Sequence, residues 1–219
     1  MIIKHGYFFL LPVLLLFFAC YEQTLTIGQD NGGIITYKVT YYDEFDNLIS
    51  YLINTHNIDL NSSIFFNKSN LNNLVFKSKN ISITNYSIKK LENGRVSEVS
   101  FNYSNFEGFP KETPYTFFPV HIYEENKNIN YITTLSIFNQ SDTKQAVVTY
   151  KKLEKKEKEL IDGYLSLIKL KFIYKSYKPI IYNNTGVLSK DKKELTYETT
   201  LYELINSKNE ININFAFKK

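Results

Sequence analysis

The segment Thr24-Leu-Thr-Ile-Gly-Gln-Asp-Asn-Gly-Gly-Ile-Ile-Thr-Tyr-Lys-Val-Thr-Tyr41 indicates how the chain begins to fold. Apolar and polar residues alternate in it on both sides of Asp30-Asn-Gly-Gly33. Alternation is typical of a strand with one buried face, and a Gly-rich polar cluster between two such runs is a turn signal. We therefore predict a β-hairpin over residues 24–41.

The same pattern recurs downstream. Alternating residues between Asn80 and Asn105 flank Asn93-Gly94, and Asn-Gly is the strongest short-range hairpin signal. Residues 120–138 are predicted to form a third pair of strands that turns at Asn126-Lys-Asn. Two final strands are expected near residues 194–201 and 210–217, so strands should dominate the chain.

Three segments have apolar residues at helical spacing instead. They cover residues 43–55, a less regular stretch over 62–77, and residues 153–168 behind an alternating charge run. The predicted fold class is therefore α+β: an antiparallel strand-rich domain built from several hairpins with about three helices.

The N-terminus has the layout of a secretory signal: a basic start, an apolar stretch from Tyr7 to Phe18, and the small residue Ala19. The apolar stretch falls short of the roughly 20 residues that cross a bilayer. Cys20 follows directly, which resembles a bacterial lipobox, where the thiol receives a diacylglycerol and becomes the new N-terminus. We predict a signal peptide over residues 1–19, cleavage between Ala19 and Cys20, and lipid attachment at Cys20.

Two alternatives to the lipid anchor remain open. One is a soluble secreted protein cleaved near Ala19 with a free thiol at Cys20, and the other is an uncleaved N-terminal anchor. Cys20 is the only cysteine in the sequence, so an internal disulfide is impossible, which favours the lipid. Residues 21–23 would then be a short tether to a single domain over residues 20–219.

Composition argues against nucleic acid as a partner. The 26 basic and 22 acidic residues give a net charge of only +4, with both signs interleaved. Arg95 is the single arginine, and arginine is the residue that recognises bases and phosphates in a bidentate manner. A weak attraction to anionic lipid headgroups remains open.

The sequence gives little sign of catalysis. Three histidines have no cysteine partner and no His-x-x-x-His spacing, so we predict no metal site and no cofactor. There is no Gly-x-Ser-x-Gly elbow, although triad members meet only in space. The acidic pairs Asp43/Glu44, Glu124/Glu125 and Glu157/Glu159 are interpreted as solvated charges. We expect the protein not to be an enzyme.

Aromatic rings flank prolines in two connecting segments, Phe106–Pro110 and Tyr115–Pro119. They would either cover the edge of the core under a loop or line an apolar pocket close to lipid.

The order of these features resembles the LppM-like lipoprotein domain, a bacterial family of mostly uncharacterised lipoproteins. The resemblance covers most of residues 24–219 and rests on the first hairpin, the pair of strands around Asn93-Gly94, and a C-terminal pattern. That pattern is a strand, a proline, an extended piece, a Gly turn and an aromatic strand: Leu170–Gly186 and Lys190–Tyr197. The family favours Pro-Gly and Trp where this chain has Pro179-Ile180 and Tyr197.

The resemblance implies a fold and a location: a small lipid-associated domain with an apolar cavity, with no catalytic residues to carry over. We therefore expect a non-enzymatic lipoprotein of the cell envelope, anchored in the cell membrane or outer membrane and facing the periplasm or the surface. Its ligand would be a lipid or other apolar molecule bound at residues that the sequence does not identify. The alternative is a surface-exposed adhesin or a protein-interaction subunit of an envelope assembly.

Overall fold

The computed structural model describes residues 19–29, 32–43, 81–104, 120–126, 129–135, 150–152, 154–207 and 211–218. The strands are β1 Ala19–Ile27, β2 Gly33–Tyr42, β3 Ile81–Leu91, β4 Gly94–Tyr103, β5 Val120–Asn126, β6 Ile129–Leu135, β7 Lys169–Ser176, β8 Ile180–Asn183, β9 Val187–Leu188, β10 Glu194–Thr200 and β11 Asn212–Lys218. The helices of these residues are α1 Lys155–Leu167 and α2 Leu201–Asn206.

The strands form two sheets. The larger has seven strands in the order β3-β4-β2-β1-β7-β10-β9, and the smaller has four in the order β5-β6-β11-β8. β1 is the central strand of the larger sheet, antiparallel to β2 on one side and parallel to β7 on the other. The first residues that the structure describes therefore form the middle strand of the larger sheet.

The predicted fold class is wrong in two respects. The described residues are dominated by strands, 63% against 17% helix, so α+β overstates their helical part; they contain two helices, and the expected three are not confirmed. The large sheet is also mixed, because β7 lies parallel to β1 with Leu170 opposite Tyr21. Residues some 150 positions apart form this pair, and a local alternation pattern carries no information on such long-range pairing.

Several local predictions are confirmed. β1 and β2 form the first hairpin, β5 and β6 form the third, and α1 fills most of the predicted helix over 153–168. In the second hairpin Leu91 lies opposite Gly94, so Glu92 and Asn93 make the turn. The helices predicted over 43–55 and 62–77 lie outside the described residues, apart from Asp43.

The short helix α2 was not predicted, since residues up to Leu201 were expected to be a strand. Thr200 and Glu203 form a capping box at its start: Glu203 N donates to Thr200 Oγ1 at 3.1 Å, and Thr200 N donates to Glu203 Oε2 at 2.9 Å. Thr-x-x-Glu is itself a helix-start signal, so the sequence held the information.

The core lies where the two sheets meet. Every second residue of β1, from Tyr21 to Ile27, is buried, and β7 repeats the pattern from Leu170 to Ser176. The ring of Tyr174 contacts the ring of Phe215 in the small sheet, with centroids 5.2 Å apart. Aromatic pairs at this distance add packing energy to the burial of apolar surface.

The opposite face of the large sheet carries a row of alternating charges. Register places Glu98, Lys38, Glu22, Lys171 and Glu198 side by side on five neighbouring strands. Lys171 Nζ lies 3.2 Å from Glu198 Oε1. Opposite charges directly across from each other stabilise a sheet by roughly 0.2–1 kcal/mol per pair, so this row favours one register and one solvated face.

Candidate functional site

Cys20 is the second residue of the central strand. Its backbone is paired with that of Thr40 on β2, and its side chain is half-buried. Ala19 is paired with Tyr41, so β1 extends across the predicted cleavage point. Cleavage there would remove one residue from the strand and leave Cys20 as its first.

The short tether expected at residues 21–23 is wrong. Tyr21 and Gln23 are each 1% exposed, and the Tyr21 hydroxyl donates to Gln23 Oε1 at 3.0 Å. The Tyr21 ring lies 6.1 Å from that of Tyr37 and 5.9 Å from that of Phe172. The folded core thus begins at the residue that follows Cys20.

Burial keeps this part of the core uncharged. Desolvation, with smaller contributions from the hydroxyls of Tyr37 and Tyr174, raises the pKa of Tyr21 well above its ordinary value. Desolvation also raises the pKa of Tyr174. Both hydroxyls are therefore neutral structural groups at physiological pH.

A surface pocket lies at the same end of the large sheet as Cys20. Its volume is about 350 Å³, and its described lining consists of Tyr41, Asp43, Ile88, Lys90, Gly94 and Arg95. Register places Lys90, Arg95 and Tyr41 side by side on three neighbouring strands. The Arg95 guanidinium carbon lies 5.0 Å from the centre of the Tyr41 ring, a cation–π distance.

Gly94 brings these side chains together. Its φ is +151°, and a Cβ added to it would come far closer to the Tyr41 carbonyl oxygen than the 3.0 Å that real Cβ atoms respect. The backbone N–H of Asp43 donates to the Asn93 carbonyl at 3.1 Å, which ties the end of β2 to the turn. Only glycine allows this close approach, which sets Arg95 against Tyr41.

The chemistry of the pocket favours binding over bond-making. Among the described residues, the lining offers two cations, one carboxylate, a tyrosine ring and an aliphatic side chain, with no His, Ser or Cys. A guanidinium and an ammonium group on one wall suit an anionic ligand. From the sequence, Arg95 was noted as the single arginine but was not predicted to belong to a site. The available signal was its position directly after the predicted turn at Asn93-Gly94.

None of the remaining predicted features belongs to the described lining of this pocket. His121 lies on β5 opposite Thr133 in the small sheet, while His56, Glu44 and the Phe106–Pro110 and Tyr115–Pro119 segments lie outside the described residues. The described part of the chain contains no group of three His, Cys, Asp or Glu residues that could hold a metal ion. Nor does it contain a helix long and apolar enough to cross a membrane.

A second polar cluster joins the two helices. The buried Tyr150 hydroxyl donates to the Asp162 carboxylate on α1 and accepts from Asn206 Nδ2 on α2 at 3.0 Å. Desolvation and the Asp162 carboxylate raise the pKa of Tyr150. Because every named partner belongs to the helices or their flank, we interpret this cluster as structural.

No protein-family model matches the chain, and no curated protein matches it. Among solved structures, the chain is similar to the NMR structure of the folded domain of LppM from Mycobacterium tuberculosis. The TM-score is 0.49 at 7% sequence identity, over 92% of this chain and 90% of that one.

Proposed function

We propose that the protein is a lipid-anchored lipoprotein of the bacterial cell envelope whose folded domain is held directly against the membrane. The observation that carries the proposal is the position of Cys20. This single cysteine ends an apolar N-terminal run and is also a residue of the central strand, paired with Thr40.

A lipid on Cys20 would leave the domain almost no freedom to move away from the bilayer. Tyr21, one residue on, is fixed in the core, and one residue spans only about 3.5 Å. The two chains of a diacylglycerol suffice for stable anchoring, which a single chain does not provide. The end of the large sheet would therefore lie at the level of the lipid headgroups.

The role we propose is binding at the membrane without catalysis. The inner face of the large sheet is filled with aromatic side chains, and Tyr21, Tyr37, Phe172 and Tyr174 are each at most 2% exposed. In this account the ligand site is the surface pocket beside Cys20. Its described lining lacks a nucleophile paired with a base, the arrangement that hydrolytic catalysis requires.

The anchor is tested by metabolic labelling with a radioactive or clickable fatty acid in a bacterial host that expresses the full chain. The wild type should carry the label and sediment with membranes. Cys20→Ala should lose the label. The double variant Cys20→Ala/Thr40→Cys is a matched control, because it restores one thiol at the same level of the sheet, one strand away from the lipobox position.

The control should remain unlabelled, since lipid transfer depends on the position after the small residue and not on a thiol near the sheet end. Labelling of Cys20→Ala, or a wild-type chain that keeps a free thiol, would contradict the proposal.

A further inference from the structure

We propose that the pocket formed by Tyr41, Asp43, Ile88, Lys90, Gly94 and Arg95 binds a phosphate group, presented by the headgroup of an anionic phospholipid in the membrane that holds Cys20. The phosphate site rests on the lipid anchoring proposed above, because the anchor brings the pocket to the bilayer. It adds a specific contact to that anchor and fixes which way the domain faces.

The pocket lies close to the start of the mature chain. Arg95 is paired with Tyr41, and Tyr41 is paired with Ala19, so Arg95 is level with the residue before Cys20 and two strands away. Neighbouring strands lie about 4.8 Å apart, which places the Arg95 backbone roughly 10 Å from the start of the mature chain. An acylated Cys20 would hold the pocket within the headgroup layer.

The lining of the pocket contains two cationic side chains, Lys90 and Arg95. The planar guanidinium of Arg95 can donate two N–H groups to a phosphate, and Lys90 adds a point charge from the neighbouring strand. Contact with the Tyr41 ring holds the guanidinium in place before a ligand arrives. Less side-chain freedom is then lost on binding.

Exposed apolar surface lies beside the charges of the pocket. Ile88 is 46% exposed although it is a large aliphatic residue, and it lies on the same face of β3 as Lys90, in the lining of the pocket. Cations with exposed aliphatic groups alongside match a bilayer interface, where charges meet headgroups and apolar groups reach the acyl boundary. Inorganic phosphate would use the cations but leave the aliphatic surface in water.

Asp43 limits which phosphate fits. With Lys90 and Arg95 it leaves the described lining a net charge of +1. A phosphodiester carries one negative charge, so it matches the lining without surplus repulsion from the Asp43 carboxylate. A phosphomonoester dianion would bring a second negative charge towards the same carboxylate. We therefore infer a preference for phosphodiester headgroups such as that of phosphatidylglycerol.

The test uses the full chain purified with its lipid and reconstituted into vesicles. Acylation blocks Cys20, the only native cysteine, so one introduced cysteine can carry an environment-sensitive fluorophore. Leu91→Cys reports from the pocket end. Ile34→Cys, 42% exposed and about 26 Å further along the sheet, reports from the far end. The vesicles contain either phosphatidylcholine alone or phosphatidylcholine with one quarter phosphatidylglycerol, each with brominated acyl chains as quenchers.

With phosphatidylglycerol, the label at position 91 should be quenched and blue-shifted, and the label at position 34 should be unchanged. Lys90→Gln or Arg95→Gln should weaken the contact about fivefold each, the effect of one cation at an anionic bilayer surface. Lys190→Gln is the matched control: it removes the same charge from an exposed turn outside the pocket and should change nothing. Asp43→Asn should strengthen the contact.

Soluble glycerophosphoglycerol, the phosphodiester headgroup of phosphatidylglycerol without its acyl chains, distinguishes a phosphate site from a diffuse charge effect. It should displace the contact at position 91 more strongly than potassium chloride of equal ionic strength. Equal displacement by both, or equal quenching at positions 91 and 34, would overturn the proposal.

The two proposals fail in different ways. If the chain stays on the vesicles but phosphatidylglycerol does not change the fluorescence of the label at position 91, the proposed phosphate site is wrong and the lipid anchor is unaffected. If Cys20 reacts with a thiol reagent, the anchor is wrong, and the site that depends on it falls as well.

Discussion

Replacing Tyr21 by alanine distinguishes a tether from a core strand directly after the lipid-carrying residue. Tyr21 is 1% exposed and packs against the rings of Tyr37 and Phe172. Truncating a buried aromatic side chain in a core costs about 3–5 kcal/mol. Loss of the hydrogen bond to Gln23 Oε1 adds to this, so we expect Tyr21→Ala to lower the free energy of unfolding by about 4 kcal/mol.

The measurement is urea unfolding of the full chain in detergent micelles, followed by far-ultraviolet circular dichroism. Tyr21→Phe separates the two contributions, because it keeps the ring and removes only the hydroxyl, and it should cost about 1 kcal/mol. Thr26→Ala is the control on the exposed face of the same strand, with an expected change of about 0.5 kcal/mol or less.

A flexible tether would give a different result. Residues of an unpacked linker contribute about 0.5 kcal/mol or less when truncated. If Tyr21→Ala unfolds at the same urea concentration as Thr26→Ala, the burial argument is refuted, and with it the claim that the domain begins at Cys20.

Three further changes test the backbone and the helix caps, each by the same unfolding measurement. Gly94→Ala should destabilise the protein by about 2 kcal/mol, because a Cβ there meets the Tyr41 carbonyl at a positive φ. Gly163→Ala, in a helix where a Cβ has open space, should instead stabilise the protein by about 1 kcal/mol. A change of the same sign in both variants would show that backbone strain at Gly94 is not the cause. Thr200→Ala should cost about 1 kcal/mol through loss of the α2 cap, and no change would mean that the capping box contributes nothing. Hydrogen bonds from the Thr200 backbone and the Thr199 hydroxyl lower the pKa of Glu203 in the folded protein. The ionised Glu203 carboxylate therefore contributes to the free energy of unfolding above its ordinary pKa of 4.5, and this contribution is lost as the pH falls through the lower pKa of the folded state. Between about pH 6 and about pH 3 the wild type should therefore lose more stability than Glu203→Gln, and parallel pH profiles would contradict this.

Local order could be predicted from the sequence, because it depends on short patterns. The Asn93-Gly94 signal and the alternation on either side of it suffice to predict β3 and β4. The helical spacing behind the charge run suffices for α1. The capping box Thr200-x-x-Glu203 would have given α2 as well, had its signal been weighed against the strand alternation before it.

The parallel pairing of β1 with β7 could not be predicted, because no local feature of Tyr21 or Leu170 specifies a partner so far along the chain. The error at residues 21–23 has the same origin. Tyr21, Glu22 and Gln23 look polar enough for a linker, and their burial follows only from having β2 and β7 on both sides.

Only one part of the candidate site, Cys20, could be predicted from the sequence. Cys20 could be identified because lipid attachment depends on a linear motif. The pocket could not, because Tyr41, Lys90 and Arg95 come from three strands, and only the sheet register places them side by side. A single arginine in a lysine-rich chain is a composition feature until the structure places it level with the start of the central strand, two strands away.

The most direct test of the central claim is intact-protein mass spectrometry of the full-length product isolated from bacterial membranes. The account predicts a chain that begins at Cys20, without residues 1–19, with a mass increased by a diacylglycerol, and that loses this modification in Cys20→Ala. A mature chain with an unmodified Cys20 thiol, or one that still begins at Met1, would contradict it.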